Sequence, residues 1–86
     1  MIKIWHDDAW DNYLTWQANK KLLTRINKLV KDIERNGYEG IGNPEPLKYE
    51  WSGYWSREID EKNRLIYRIV GDTIEIVFCG DHYGDK

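Results

Sequence analysis

The sequence predicts an α+β domain of order β-α-α-β-β-β, a two-helix hairpin packed on an antiparallel β-meander. Three observations predict it. Residues 1–5 alternate in polarity as a short strand does, apolar residues between Leu22 and Ile33 recur with helical spacing, and residues 54–79 hold three strand-like runs separated by turns.

The elements follow in order. Asp7 offers an N-cap, and Asp8 and Asp11 lie in the first turn, where the helix dipole favours negative charge. Ala9, Trp10, Tyr13 and Leu14 keep helical spacing, so a first helix is expected over residues 7–18. Asn19 breaks and caps. Leu22, Leu23, Ile26, Leu29, Val30 and Ile33 then mark one face of a second helix, with Lys21, Arg25, Lys28, Asp32 and Arg35 on the other. Asn36-Gly37 stops it, Gly37 supplying a left-handed cap. Residues 37–53 carry five glycines or prolines before Gly53 and no periodicity, and a loop this long in a small domain is where function concentrates. Strands are expected over 54–59, 64–70 and 73–79. In the second, Leu65, Tyr67 and Ile69 face one way and Arg64, Ile66 and Arg68 the other. Gly71-Asp72 signals a hairpin, and the β-branched third run is expected to be the most buried.

The chain has 86 residues, which fits a single domain over 1–86. Five Trp and six Tyr supply enough buried area for a core without staples. One cysteine, Cys79, excludes an intramolecular disulfide and a zinc motif and suits a reducing compartment; it reads as a small buried hydrophobe. No apolar run has the length of a membrane span and no signal-peptide pattern opens the chain, so a cytoplasmic protein is expected. The net charge of −2 is unusual for a protein acting on nucleic acid, but it is unevenly spread. Residues 19–36 hold six basic and two acidic side chains, a net +4 that leaves −6 for the rest.

Three polar side chains can carry chemistry. Glu45 stands between Pro44 and Pro46, whose fixed φ angles stiffen its backbone. Arg64 begins a strand directly after a turn and offers a planar donor fork that suits phosphate; Lys48 is a second candidate cation. His82, after the last strand, can transfer a proton near neutral pH. Each also has an ordinary reading as a solvated surface group. A carboxylate, a guanidinium and an imidazole are nevertheless the set that metal-free RNA cleavage uses. A metal site joining Asp81 and His82 to His6 or Asp7 matches no known ligand spacing. The tryptophans read as core, although Trp51 and Trp55 near the loop could stack on bases.

Residues 10–17 (Trp-Asp-Asn-Tyr-Leu-Thr-Trp-Gln), 42–48 (Gly-Asn-Pro-Glu-Pro-Leu-Lys), 52–57 (Ser-Gly-Tyr-Trp-Ser-Arg), 64–67 (Arg-Leu-Ile-Tyr) and 79–83 (Cys-Gly-Asp-His-Tyr) resemble the YoeB toxins of the RelE superfamily, nearly end to end. The resemblance implies a toxin of a toxin–antitoxin pair that enters the ribosomal A site and cuts messenger RNA there, leaving a 2′,3′-cyclic phosphate or its opened form. It implies Glu45 as general base, Arg64 as stabiliser of the transition state, His82 as general acid, Tyr83 as a group positioning substrate, and Lys48 as a phosphate contact. It implies no metal or cofactor. The partners it implies are a YefM-type antitoxin and the ribosome; a homodimer is compatible with it. An acidic, disordered antitoxin tail is expected to cover the cations Lys48, Arg57 and Arg64. Lys21, Arg25, Lys28 and Arg35 are the face expected to dock on small-subunit ribosomal RNA, with Arg57 a further cation toward substrate RNA.

The chain departs from the family pattern at three places. Glu58 stands where a second arginine is common after Trp-Ser-Arg, Gly80-Asp81 stand where basic residues are common, and Gly84-Asp85-Lys86 extend beyond Tyr83. Two other readings follow: a catalytically silent module that binds its antitoxin and represses its operon, and a ParE-like toxin acting on a protein target.

Overall fold

The computed structural model describes residues 1–81. Its elements are β1 (Ile2–Trp5), α1 (Asp7–Thr15), a 3-10 turn (Trp16–Ala18), α2 (Lys20–Asn36), β2 (Glu45–Pro46), a second 3-10 turn (Tyr49–Trp51), β3 (Trp55–Glu58), β4 (Arg64–Val70) and β5 (Thr73–Gly80). The strands form one mixed sheet in the order β1-β5-β4-β3-β2. The α+β class and the β3-β4-β5 meander are as expected. The sheet differs from expectation at its edges: β1 adds in parallel to β5, and two residues of the long loop form β2 against β3.

The local chemistry explains where the helices begin and end. His6, not Asp7, is the N-cap of α1; Asp7 and Asp8 occupy the first turn, where the dipole favours them without a side-chain cap. The α-helix stops at Thr15 and the chain tightens into the 3-10 turn before Asn19. Asn19 caps α2 as expected, its Oδ1 accepting from the Leu22 N–H at 3.2 Å. Gly37 ends α2 at φ +67°, its N–H donating to the Ile33 carbonyl.

The core lies between the helices and one face of the sheet. Ala9, Ile26, Leu29, Ile33, Leu65, Tyr67, Ile74, Ile76 and Cys79 are fully buried in it. Directly opposed residues of paired strands share a face, so the register Arg57↔Leu65 and Trp55↔Tyr67 turns Arg57 and Trp55 toward the helices. The same alternation puts Glu45, Ser56, Glu58, Arg64 and Ile66 on the other face.

Two side chains of the first helical segment complete β5. β1 pairs with β5 only as far as Trp5↔Ile76. Beyond it, the Cys79 N–H donates to Asn12 Oδ1 at 3.2 Å and its carbonyl accepts from Trp16 Nε1 at 2.9 Å. Helix side chains thus satisfy backbone groups that a longer β1 would have paired. Among the described residues no helix is long and apolar enough to cross a membrane.

The loop that follows α2 is fixed against β3, where the Glu58 N–H donates to the Gly42 carbonyl at 2.7 Å. Gly42 has φ +82°, and a Cβ there would lie 2.8 Å from Leu29 Cδ2 and 3.3 Å from the Glu58 carbonyl oxygen. Gly42→Ala is therefore expected to cost about 1–3 kcal/mol from backbone strain and overpacking together, read as a lower urea midpoint at unchanged slope.

Candidate active site

The sheet brings Glu45 and Arg64 together. Arg64 opens β4, paired across to Glu58 on one side and to Gly80 on the other. Its guanidinium lies 3.9 Å (Nη1) from Glu45 Oε1 and 3.6 Å (Nη2) from Glu58 Oε2. Asn43 closes the group, its Nδ2 donating to Glu45 Oε1 at 3.2 Å and to Glu58 Oε2 at 3.5 Å. Glu45 is 53 % exposed and Arg64 31 %, so water and ligand reach both. Gly80, two residues before His82, ends β5 beside Arg64. His82 and Tyr83 themselves lie outside the described residues.

Asn43 and the pairing of Glu58 with Arg64 were not read from the sequence. The local signal for Asn43 is its backbone: φ is +51°, a left-handed conformation that asparagine tolerates better than most residues. Together with Gly42 it turns the loop so that Glu45 enters the sheet opposite Ser56.

Arg57 corrects an expectation. It is not a contact for RNA or for an antitoxin tail, because it is fully buried on the helix side of the sheet. Its five N–H groups are all engaged. Nε donates to Tyr67 Oη at 3.1 Å, Nη1 to the Asp32 carboxylate and to the Ile41 carbonyl at 3.0 Å, and Nη2 to the carbonyls of Gly37 and Glu39 at 2.8 and 2.6 Å. Asp32 also accepts from the Ile41 N–H and from Asn36. Gly40 passes so close that a Cβ there would meet the Asp32 carboxylate. The Trp-Ser-Arg motif thus ties the loop 37–41 down and does not present a cation to solvent.

The other expected cations divide. Lys48 is exposed at the start of the second 3-10 turn. On α2, Lys21, Lys28 and Arg35 are exposed, and Lys28, Lys31, Asp32, Arg35 and Ile41 line a hollow of about 230 Å³. Arg25 is half-buried, with Nη2 donating to the Glu58 carbonyl at 3.2 Å, so it supports β3 as well as facing outward. Trp55 stacks on Tyr38 with centroids 4.6 Å apart and belongs to the helix-side packing. Trp51 packs edge-on against Tyr54. Burial pushes the Cys79 thiol up to about 12, so it is an inert hydrophobe at neutral pH. Among the described residues no group of three His, Cys, Asp or Glu is arranged to hold a metal.

A small α+β domain with an accessible carboxylate–guanidinium pair on the sheet face away from the helices has the form of a RelE-like toxin. Residues 5–83 match the family model described as the YoeB-like toxin of bacterial type II toxin–antitoxin systems. Toxin YoeB of Escherichia coli K12 is 47 % identical over 84 residues, covering 96 % of this chain and all of that one. The YoeB–YefM complex from Staphylococcus aureus superposes with a TM-score of 0.90 at 41 % identity, covering 96 % of this chain and 98 % of the toxin. The YoeB dimer from the same organism gives 0.89 at the same identity and coverage. The chain belongs to the YoeB family of type II toxins.

Asp32 makes the Arg57 cluster sensitive to acid. Burial raises its carboxyl pKa, but the hydrogen bonds from Arg57, the Ile41 N–H and Asn36, with the charge of Arg57, outweigh this and hold it below the ordinary aspartate value. A depressed carboxyl contributes stability that is present above the unfolded pKa, near 4, and is lost as pH falls through the folded one. Arg57→Ala should cost about 3–5 kcal/mol at pH 7 by leaving Asp32 and three loop carbonyls without their donor. Asp32→Asn should flatten the loss of stability between about pH 5 and pH 2, measured by urea unfolding across that range.

Proposed function

We propose that the protein is a ribosome-dependent endoribonuclease that cuts messenger RNA in the A site without a metal or cofactor and so arrests translation. The observation that carries this reading is the Arg64–Glu45 pair, accessible at the start of β4 and on one side of the sheet. Glu45, held by its prolines and Asn43, takes the proton of the 2′-hydroxyl. The oxygen then attacks the adjacent phosphorus, and Arg64 stabilises the charge that gathers on the phosphate oxygens. His82 protonates the departing 5′-oxygen, Tyr83 positions the phosphate, and Lys48 contacts the flanking backbone. The 3′ end left behind carries the cyclic phosphate.

The ribosome supplies what the site lacks. Two carboxylates and one guanidinium do not hold RNA by counterion release, so the exposed cations of α2 dock on small-subunit ribosomal RNA and the A site presents the strand. The Staphylococcus aureus complex supports a YefM-type antitoxin as the partner. In this reading an acidic antitoxin tail covers Lys48 and Arg64. The dimer from that organism supports a homodimer. A cytoplasmic location follows from the proposed target.

Single-turnover cleavage on programmed ribosomes tests the chemistry. Glu45→Ala and His82→Ala are each expected to slow it by roughly 10²–10⁴-fold, and the double variant by less than the product, because both groups serve one transition state. Arg64→Lys should also be slow, since a point charge does not replace the planar fork. Wild-type cleavage by Glu45→Ala would sink the assignment of the base.

Docking is tested separately. Reversing Lys21, Lys28 and Arg35 to Glu should abolish ribosome association in sedimentation while leaving the circular dichroism spectrum intact. Undiminished association would remove this helix face from the reading.

A further inference from the structure

Glu58 has no role in the chemistry above, yet it lies nearer the Arg64 guanidinium than Glu45 does. Its position is rigidly set. The backbone N–H donates to Gly42, the carbonyl accepts from Arg25, and the residue pairs directly with Arg64 across the two strands. The amide of Asn43 holds its carboxylate beside that of Glu45. The cluster of Glu45, Glu58, Asn43 and Arg64 is therefore net negative where a phosphodiester has to bind.

We infer that Glu58 is a gate on Arg64, a specificity-determining residue whose carboxylate occupies the guanidinium until a substrate phosphate displaces it. The inference rests on the reading of Arg64 as the phosphate clamp. At 3.6 Å the pair is a charge contact looser than a hydrogen bond, and Glu58 is 43 % exposed, so solvent screens it. Such a pair is easily exchanged. A phosphate presented in place by the ribosome displaces the carboxylate, whereas free RNA gains little over it. The gate favours strands that arrive with their own binding energy and disfavours casual contact with RNA.

The test reads Arg64 directly. The Nε–Hε resonance of its guanidinium is followed by NMR in the full chain during titration with inorganic phosphate. Glu58→Gln keeps the shape and the acceptor for Asn43, and leaves the backbone bonds unchanged. It is expected to tighten phosphate binding at Arg64 by roughly three- to tenfold, the loss of one screened ion pair plus one like-charge contact. Glu58→Asp, which keeps the charge, should stay near wild type, and Glu58→Ala should follow Gln. Cleavage on programmed ribosomes should be no slower in Gln than in wild type, because there the ribosome already supplies the energy that displaces Glu58. Phosphate binding no tighter in Gln and Ala than in wild type would overturn the gate, as would slower cleavage by Gln, which would make Glu58 a contributor to catalysis. Tighter phosphate binding with no cleavage by any variant would leave the gate standing and refute the nuclease reading.

Discussion

The buried Arg57 guanidinium is the constraint on which the rest depends. A fully buried cation is tolerated only when it is paired and every donor is used. Arg57 meets both conditions by gathering acceptors from α2, β4 and three carbonyls of the loop between α2 and β2. That loop has no ladder of its own, and apart from the Tyr67 hydroxyl, which also reaches Gly37, the guanidinium is the donor these carbonyls find. The guanidinium replaces a missing piece of secondary structure. Its direct consequence is the path of the chain through Gly42 and Asn43, which delivers Glu45 to the sheet beside Arg64. A lysine could not serve, because three donors on one nitrogen do not reach acceptors spread around a plane.

What was legible in the sequence was local. The apolar spacing of α2, the Asn19 cap and the two faces of β4 depend on neighbours within a few residues, and all are as the pattern indicates. The parallel pairing of β1 with β5 joins residues far apart in the chain, and no periodicity encodes it. The charge of Arg57 points to solvent, but the strand alternation holds the opposite signal: Trp55 and Arg57 share a face, and Trp55 is an apolar side chain that seeks the core. Glu45 and Arg64 were singled out by residue type and by resemblance to a family. Their approach to each other depends on a two-residue strand inside a loop, which is too short to leave a pattern. Asn43 was hidden because its role depends on a backbone angle.

The charge segregation acquires a structural meaning. The positive charge is carried by α2, outside the helix layer, whereas the face of the sheet with Glu45, Glu58 and Arg64 is acidic on balance. Attraction to a polyanion and the groups proposed for its cleavage are thus assigned to opposite layers of the domain. The modest pI conceals one basic helix within an acidic remainder.

The completion of β5 by Asn12, Trp16 and β1 sets an order of events during synthesis. Ile2 pairs with Thr73, and the groups flanking Cys79 are satisfied from the first helical segment. β5, which lies between β1 and β4, is therefore made after the other strands of the described sheet, and it pairs with the first of them. Closure over such a sequence separation is slow compared with helix formation. Because the ribosomal tunnel retains the newest residues of a growing chain, β1 has no strand to pair with until β5 has cleared it.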